Sequence, residues 1–150
     1  MASEINELIL AEATSPACIN LQMMRSSHYI LKAYDEAYRP FGIRATQMPV
    51  LGAVARRQPV TIRQIADELE SERSVMSRKL LVMEKSGWVK EDPDAVGKEK
   101  MFLLTRKGKE LIQKILPVRL EVQQRLTSVL TEEEMNLLLT LCNKLKEVSQ

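Results

Sequence analysis

The sequence predicts a mainly α-helical chain with one small β-hairpin, in which a central lobe is flanked by helices from both termini. Three observations predict it. Leu, Ile, Val, Met and Ala supply most of the 45% apolar residues, aromatic residues make up only 4%, and the chain has five glycines and six prolines; that composition favours helix. Apolar residues recur at helical spacing along most of the chain. The exception is "WVKED" and "KMFLLT", which read as strands joined through "PDAVGKE" with its Pro and Gly.

The elements follow in order. Ile5, Leu8 and Ile9 mark a first helical turn or two, broken at Ser15–Pro16 because a residue before proline leaves the α region. A long helix runs from about Cys18 to Arg39, with Met23, Ser27, Ile30, Tyr34 and Ala37 on one stripe, and ends at Pro40 and Gly42. Thr46 is the expected N-cap of a short helix carrying Val50, Leu51 and Val54. Val60–Thr61 offers a one-residue strand pairing. Thr61 then opens a helix with Ile62, Ile65, Ala66 and Leu69 inward. The next helix begins near Ser71 or Glu72 and stops at Gly87, with Met76, Leu80 and Met83 inward. After the hairpin, a long helix starts beyond Thr105 and contains Pro117, which should kink it. Thr131 and Glu134 form a capping box for the last helix, whose Leu138, Leu141, Leu145 and Val148 are spaced like a heptad seam. Such a seam wants a partner. The chain therefore divides into 1–40 and 106–150, helical dimerisation regions, and 41–105, a lobe of its own.

Several function classes are set aside. No apolar run is long enough to span a membrane, and the acidic N-terminus does not read as a secretory signal, so a cytoplasmic protein is expected. One histidine, no Cys/His cluster, no Gly-rich phosphate loop and no His-Glu-x-x-His leave no reading as an enzyme, and no cofactor or metal is expected. The net charge of +2 is unevenly spread: residues 56–109 hold 13 Lys and Arg against 9 Asp and Glu, while the rest hold 9 against 11. The basic share falls on the lobe, a modest footprint for a polyanion.

Within the lobe, two helices joined by a short turn make a helix-turn-helix. The first would brace the second, which can enter the major groove of B-DNA. Arg73, Ser74, Ser77 and Arg78 are the candidate base readers, since Arg pairs bidentately with guanine and Ser donates or accepts. Lys79 is placed on phosphate. The hairpin becomes a wing with Lys98 and Lys100 as its cations, and Thr61, Arg63 and Gln64 could hold phosphate near the start of the bracing helix.

These residues also carry a family resemblance. "GIRATQ", "IADEL", "RSVMSRKL…MEKSGWV" and "LTRKG" stand in an order that resembles the MarR family of winged-helix transcription regulators, over roughly residues 15–148. The resemblance implies a homodimer bridged by both termini, bound to a pseudo-palindromic operator in double-stranded DNA, acting as a repressor and responding to a small molecule or an oxidant. It places an effector where the helical layer meets the lobe, with Met23, Met24, Arg25, His28 and Met48 as candidates, and suggests Cys18 as a redox residue with Tyr29, Tyr34 or Tyr38 as hydroxyl partners. Two features depart from the family pattern. The wing reads Asp92-Pro93-Asp94 where Asp-x-Arg is common, and the turn before the recognition helix carries Glu70 where Gly is frequent. A winged-helix adaptor that has given up DNA is the alternative these departures support.

Overall fold

The computed structural model describes residues 18–97 and 99–149. Among the described residues, six α-helices and three strands follow one another: α1 (Ile19–Tyr38), α2 (Met48–Arg57), β1 (Val60–Thr61), α3 (Ile62–Glu68), α4 (Arg73–Lys85), β2 (Val89–Glu91), β3 (Met101–Leu104), α5 (Arg106–Thr127) and α6 (Glu132–Leu145), with 3-10 turns at Arg39–Phe41 and Lys146–Ser149. The predicted class holds: helices with a small antiparallel sheet. The early helix expected around Ile5 to Ile9 lies outside the described residues. None of the described helices is long and apolar enough to cross a membrane.

The sheet has the order β1-β3-β2, so the wing is a three-stranded sheet rather than a hairpin alone. Val60 and Thr61 pair with Phe102 and Met101, one residue more than expected. Leu104, Leu103 and Phe102 of β3 face Val89, Lys90 and Glu91 of β2. The Gln58 side-chain oxygen accepts from the Leu104 amide at 2.9 Å.

The core sits in the lobe. Val50, Leu51, Ala53, Val54, Val60, Ile65 and Met83 have no exposed surface, and Met76, Leu80, Trp88 and Phe102 close around them. Their positions follow the helical and strand periods read from the sequence. Thr61 caps α3 through a capping box: its hydroxyl accepts from the Gln64 amide at 3.2 Å, and Gln64 Oε1 accepts from the Thr61 amide at 2.9 Å.

One expectation about a helix boundary changes. Thr46 does not cap α2; the N-cap is Gln47, and its side chain instead accepts from the Arg44 amide at 2.8 Å, tightening the turn before the helix. Pro117 lies inside α5, as the sequence expects.

α5 joins layer to lobe. Thr105 caps it, accepting from the Gly108 amide at 3.0 Å and donating to the Gly87 carbonyl at 2.6 Å. Lys107 Nζ donates to the Ser86 carbonyl at 2.8 Å. Gly108 permits this approach, because a Cβ there would sit 2.1 Å from the Trp88 carbonyl oxygen. The start of α5 is thereby fastened to the end of α4. Along α1 the packing partner is α5, and Tyr34 donates to Gln123 Oε1 at 2.7 Å across that contact.

Candidate functional site

The turn between α3 and α4 is a Schellman cap: the Ser71 amide donates to the Ala66 carbonyl at 2.9 Å and the Glu70 amide to Asp67 at 3.3 Å. Glu70 takes the left-handed position, φ +48°, where Gly is usual. The same motif ends α4, where Gly87 supplies it at φ +75°. α4 then divides cleanly. Met76, Leu80 and Met83 are buried, while Ser74 and Arg78 are exposed on the opposite side and Arg73 and Ser77 are exposed along the flank. This is the arrangement needed for a helix held by its apolar face and offered by its polar one.

A cleft of about 200 Å³ brings several predicted residues together. Thr61, Arg63, Arg73 and Lys100 line it, from the start of α3, the start of α4 and the wing. Each of its cations already has an acidic neighbour. Arg73 Nη2 lies 4.0 Å from Glu99, Lys100 Nζ 2.7 Å from Glu91, and Arg63 Nε 3.8 Å from Asp67. The hydrogen bond from Lys100 to Glu91 raises the Lys100 pKa above its ordinary value. These are exposed pairs, so a stronger polyanion can displace the carboxylates at small cost.

Other predicted residues are engaged internally. Thr61 is buried, its side chain held in the capping box that it forms with the exposed Gln64. Lys79 Nζ donates to the Thr46 carbonyl at 2.9 Å, tying α4 to the turn before α2. Arg78 Nε donates to the Ser74 carbonyl one turn back at 3.3 Å, leaving the rest of its exposed guanidinium free to reach outward. Lys98 lies outside the described residues.

The residues nominated for an effector do not converge. Met48 lines an apolar cleft of about 580 Å³ between α1, α2 and α5. His28 lines a separate, charged groove with Lys32 and Arg44. Met23, Met24 and Arg25 are exposed on α1. The sequence reading missed the polar members of the apolar cleft: Tyr34, Tyr38, Arg56 and Arg119. Burial holds the Tyr38 hydroxyl above its ordinary pKa, and the nearby Arg119 guanidinium partly offsets this.

Cys18 is the half-buried N-cap residue of α1. At 1.5 Å rise per residue, Tyr29 is on the order of 16 Å along the same helix, and Tyr34 and Tyr38 further still. None of the three can hydrogen-bond to Cys18 within its own protomer.

One carboxylate stands apart. Glu68, at the end of α3, is held by two arginines from α2: Arg56 Nη2 bonds to its Oε1, and Arg57 Nε lies 2.6 Å from its Oε2. The bond from Arg56 is the main cause that lowers the Glu68 pKa. A carboxyl of lowered pKa stabilises the fold fully above the ordinary Glu range, and that contribution is lost as pH falls through the lowered value.

With this geometry in place, likenesses to other proteins can be read for what they share. Residues 41–98, the lobe from the turn before α2 to the wing, match the MarR family. A helix-turn-helix transcriptional regulator of Bacillus cereus, itself uncharacterised, is 27% identical over 142 residues, covering 94% of this chain and 95% of that protein. The lobe is similar to the MarR family, and the chain as a whole to this regulator. Among solved structures, the M. tuberculosis transcriptional regulator MosR in complex with DNA aligns at TM-score 0.76 with 26% identity, over 89% of this chain and 98% of that one. The S. aureus MepR–DNA complex aligns at 0.77 with 24% identity, over 88% and 96%, and shares the fold. The chain thus shares the winged-helix fold of these regulators, and its lobe matches the MarR family.

Proposed function

We propose that this chain is a transcriptional regulator that binds operator DNA as a homodimer in the cytoplasm, represses transcription, and releases DNA when a small molecule occupies the apolar cleft. The observation that carries the reading is the two-sided α4, anchored by Met76, Leu80 and Met83, with Arg73, Ser74, Ser77 and Arg78 all exposed. Arg78 and the serines would read base edges, and Arg63 and Lys100 would hold phosphate on either flank.

Dimerisation is supported by the helical layer. α6 buries none of its residues, and Leu138, Leu141 and Leu145 are each more than 40% exposed. Apolar side chains in that density are the interior of an interface rather than a surface. The division into dimerisation regions 1–40 and 106–150 around the lobe 41–105 belongs to this reading. So does the effector: the apolar cleft lies where layer and lobe meet, and α5, which forms one wall, is fastened to the end of α4.

Fluorescence anisotropy tests it. One duplex comes from immediately upstream of the protein's own gene and one is scrambled, across a salt series. The expected result is tight binding that prefers the upstream duplex and weakens steeply with salt. A second reading, an adaptor without DNA, draws on the acids paired with Arg63, Arg73 and Lys100; equal, salt-insensitive or absent binding to both duplexes would favour it.

A further inference from the structure

The exposed side of α4 is not polar throughout. Ser74, Arg78, Leu81 and Lys85 follow one another at helical intervals, which puts them on one stripe. All four are exposed, and the stripe runs opposite Met76, Leu80 and Met83. Leu81 is 51% exposed, and Val82 beside it is 48% exposed. A cation stands on each side of Leu81 along the stripe, Arg78 before it and Lys85 after it. Glu84, the one acid of this helix, stands off the stripe and close enough to Lys100 of the wing to raise its pKa.

An apolar patch bracketed by cations does not suit a second apolar surface, because burial there would strip water from both charges. It suits the floor of the DNA major groove. That floor lies between two rows of phosphates and carries one apolar group, the 5-methyl of thymine. Position along the helix agrees. Leu81 lies about 4.5 Å beyond Arg78 on the axis, at the rise of an α-helix. That is a little more than the step of ~3.4 Å between neighbouring bases.

Resting on the reading of α4 as the recognition helix, we propose that Leu81 is a specificity-determining residue that packs on a thymine methyl. Each operator half-site then carries a thymine one or two base pairs from the guanine read by Arg78. Leucine has no donor or acceptor, so the methyl is all it reads.

The experiment is fluorescence anisotropy of the full chain on the upstream duplex, with each thymine in turn replaced by deoxyuridine at the same place in both half-sites. The exchange removes only the methyl and keeps the base pair. For the wild type, one position per half-site should weaken binding roughly three- to fivefold, the worth of one buried methyl group. Leu81→Ala should bind the thymine and deoxyuridine duplexes equally at that position. Its melting should stay with the wild type, because Leu81 is half exposed and its truncation opens no cavity in the core. A wild type that binds every deoxyuridine duplex as tightly as the parent overturns the role of Leu81 and leaves α4 as the recognition helix. A Leu81→Ala variant that keeps the full penalty does the same. A wild type that does not prefer the upstream duplex to the scrambled one overturns the recognition reading itself.

Discussion

The lobe and the helical layer spend the same kinds of side chain differently. In the lobe, Val50, Leu51, Val54 and Ile65 reach zero exposure within the chain, clustered with Met76, Leu80 and Met83 of α4, with the strand residues Val60, Val89, Phe102 and Leu104, and with Tyr38 and Ile115. In the layer, Met24 of α1, Leu120 of α5 and Leu137 and Leu139 of α6 stay more than half exposed. The lobe's apolar side chains close on one another and on Tyr38, Leu111 and Ile115 of the layer. The layer keeps an apolar face uncovered, which on the proposed reading a second copy covers.

The first way to break this comparison is Gly108→Ala. The new Cβ would collide with the Trp88 carbonyl where α5 meets the wing, a backbone contact that cannot yield cheaply. A loss of about 3 kcal/mol or more is expected in chemical denaturation; a change under about 0.5 kcal/mol would mean that layer and lobe are not fastened there. Next comes the pair Leu138→Glu and Leu141→Glu together. These leucines contact little within the protomer, so its melting should move little, but each would forfeit about 1.5–3 kcal/mol of burial at an interface. Light scattering should show the mass falling to one chain. A mass that stays double moves the interface elsewhere.

Two smaller effects sharpen the lobe. Arg78→Ala should cost roughly 1–3 kcal/mol of discrimination between operator and scrambled DNA without altering stability. Glu99→Gln removes the acid beside Arg73 and should tighten binding to any duplex by roughly two- to fivefold, since one fewer negative charge faces the phosphates. Weaker binding in that variant would show that Glu99 supports the wing.

Much of the lobe was legible because its signals are local. The Ile65, Ala66 and Leu69 stripe, the Met76, Leu80 and Met83 stripe and the Gly87 stop each lie within one element, and periodicity alone places them. The Thr131–Glu134 capping box was legible for the same reason. Thr46 was misplaced because Gln47 competes for the turn through its own side chain. Lys79 looked like a free surface cation, yet its partner, the Thr46 carbonyl, is 33 positions away. Arg56 and Arg57 read only as the end of a helix before a proline. Their joint hold on Glu68 spans two helices, and no pattern along the chain announces it. The paired acids of the cleft between α3, α4 and the wing were visible only as a reduced net charge; which acid sits on which cation is a property of the folded wing.

The central claim is that two copies, joined through α1, α5 and α6, present two α4 helices to one duplex about one helical turn apart. The most direct measurement is the stoichiometry of the complex on the upstream duplex, by sedimentation at concentrations well above the dissociation constant. The account predicts two chains per duplex, with Leu138→Glu/Leu141→Glu losing the complex while remaining folded. A single chain bound per duplex with undiminished affinity, or a dimer that forms no complex at all, would contradict it.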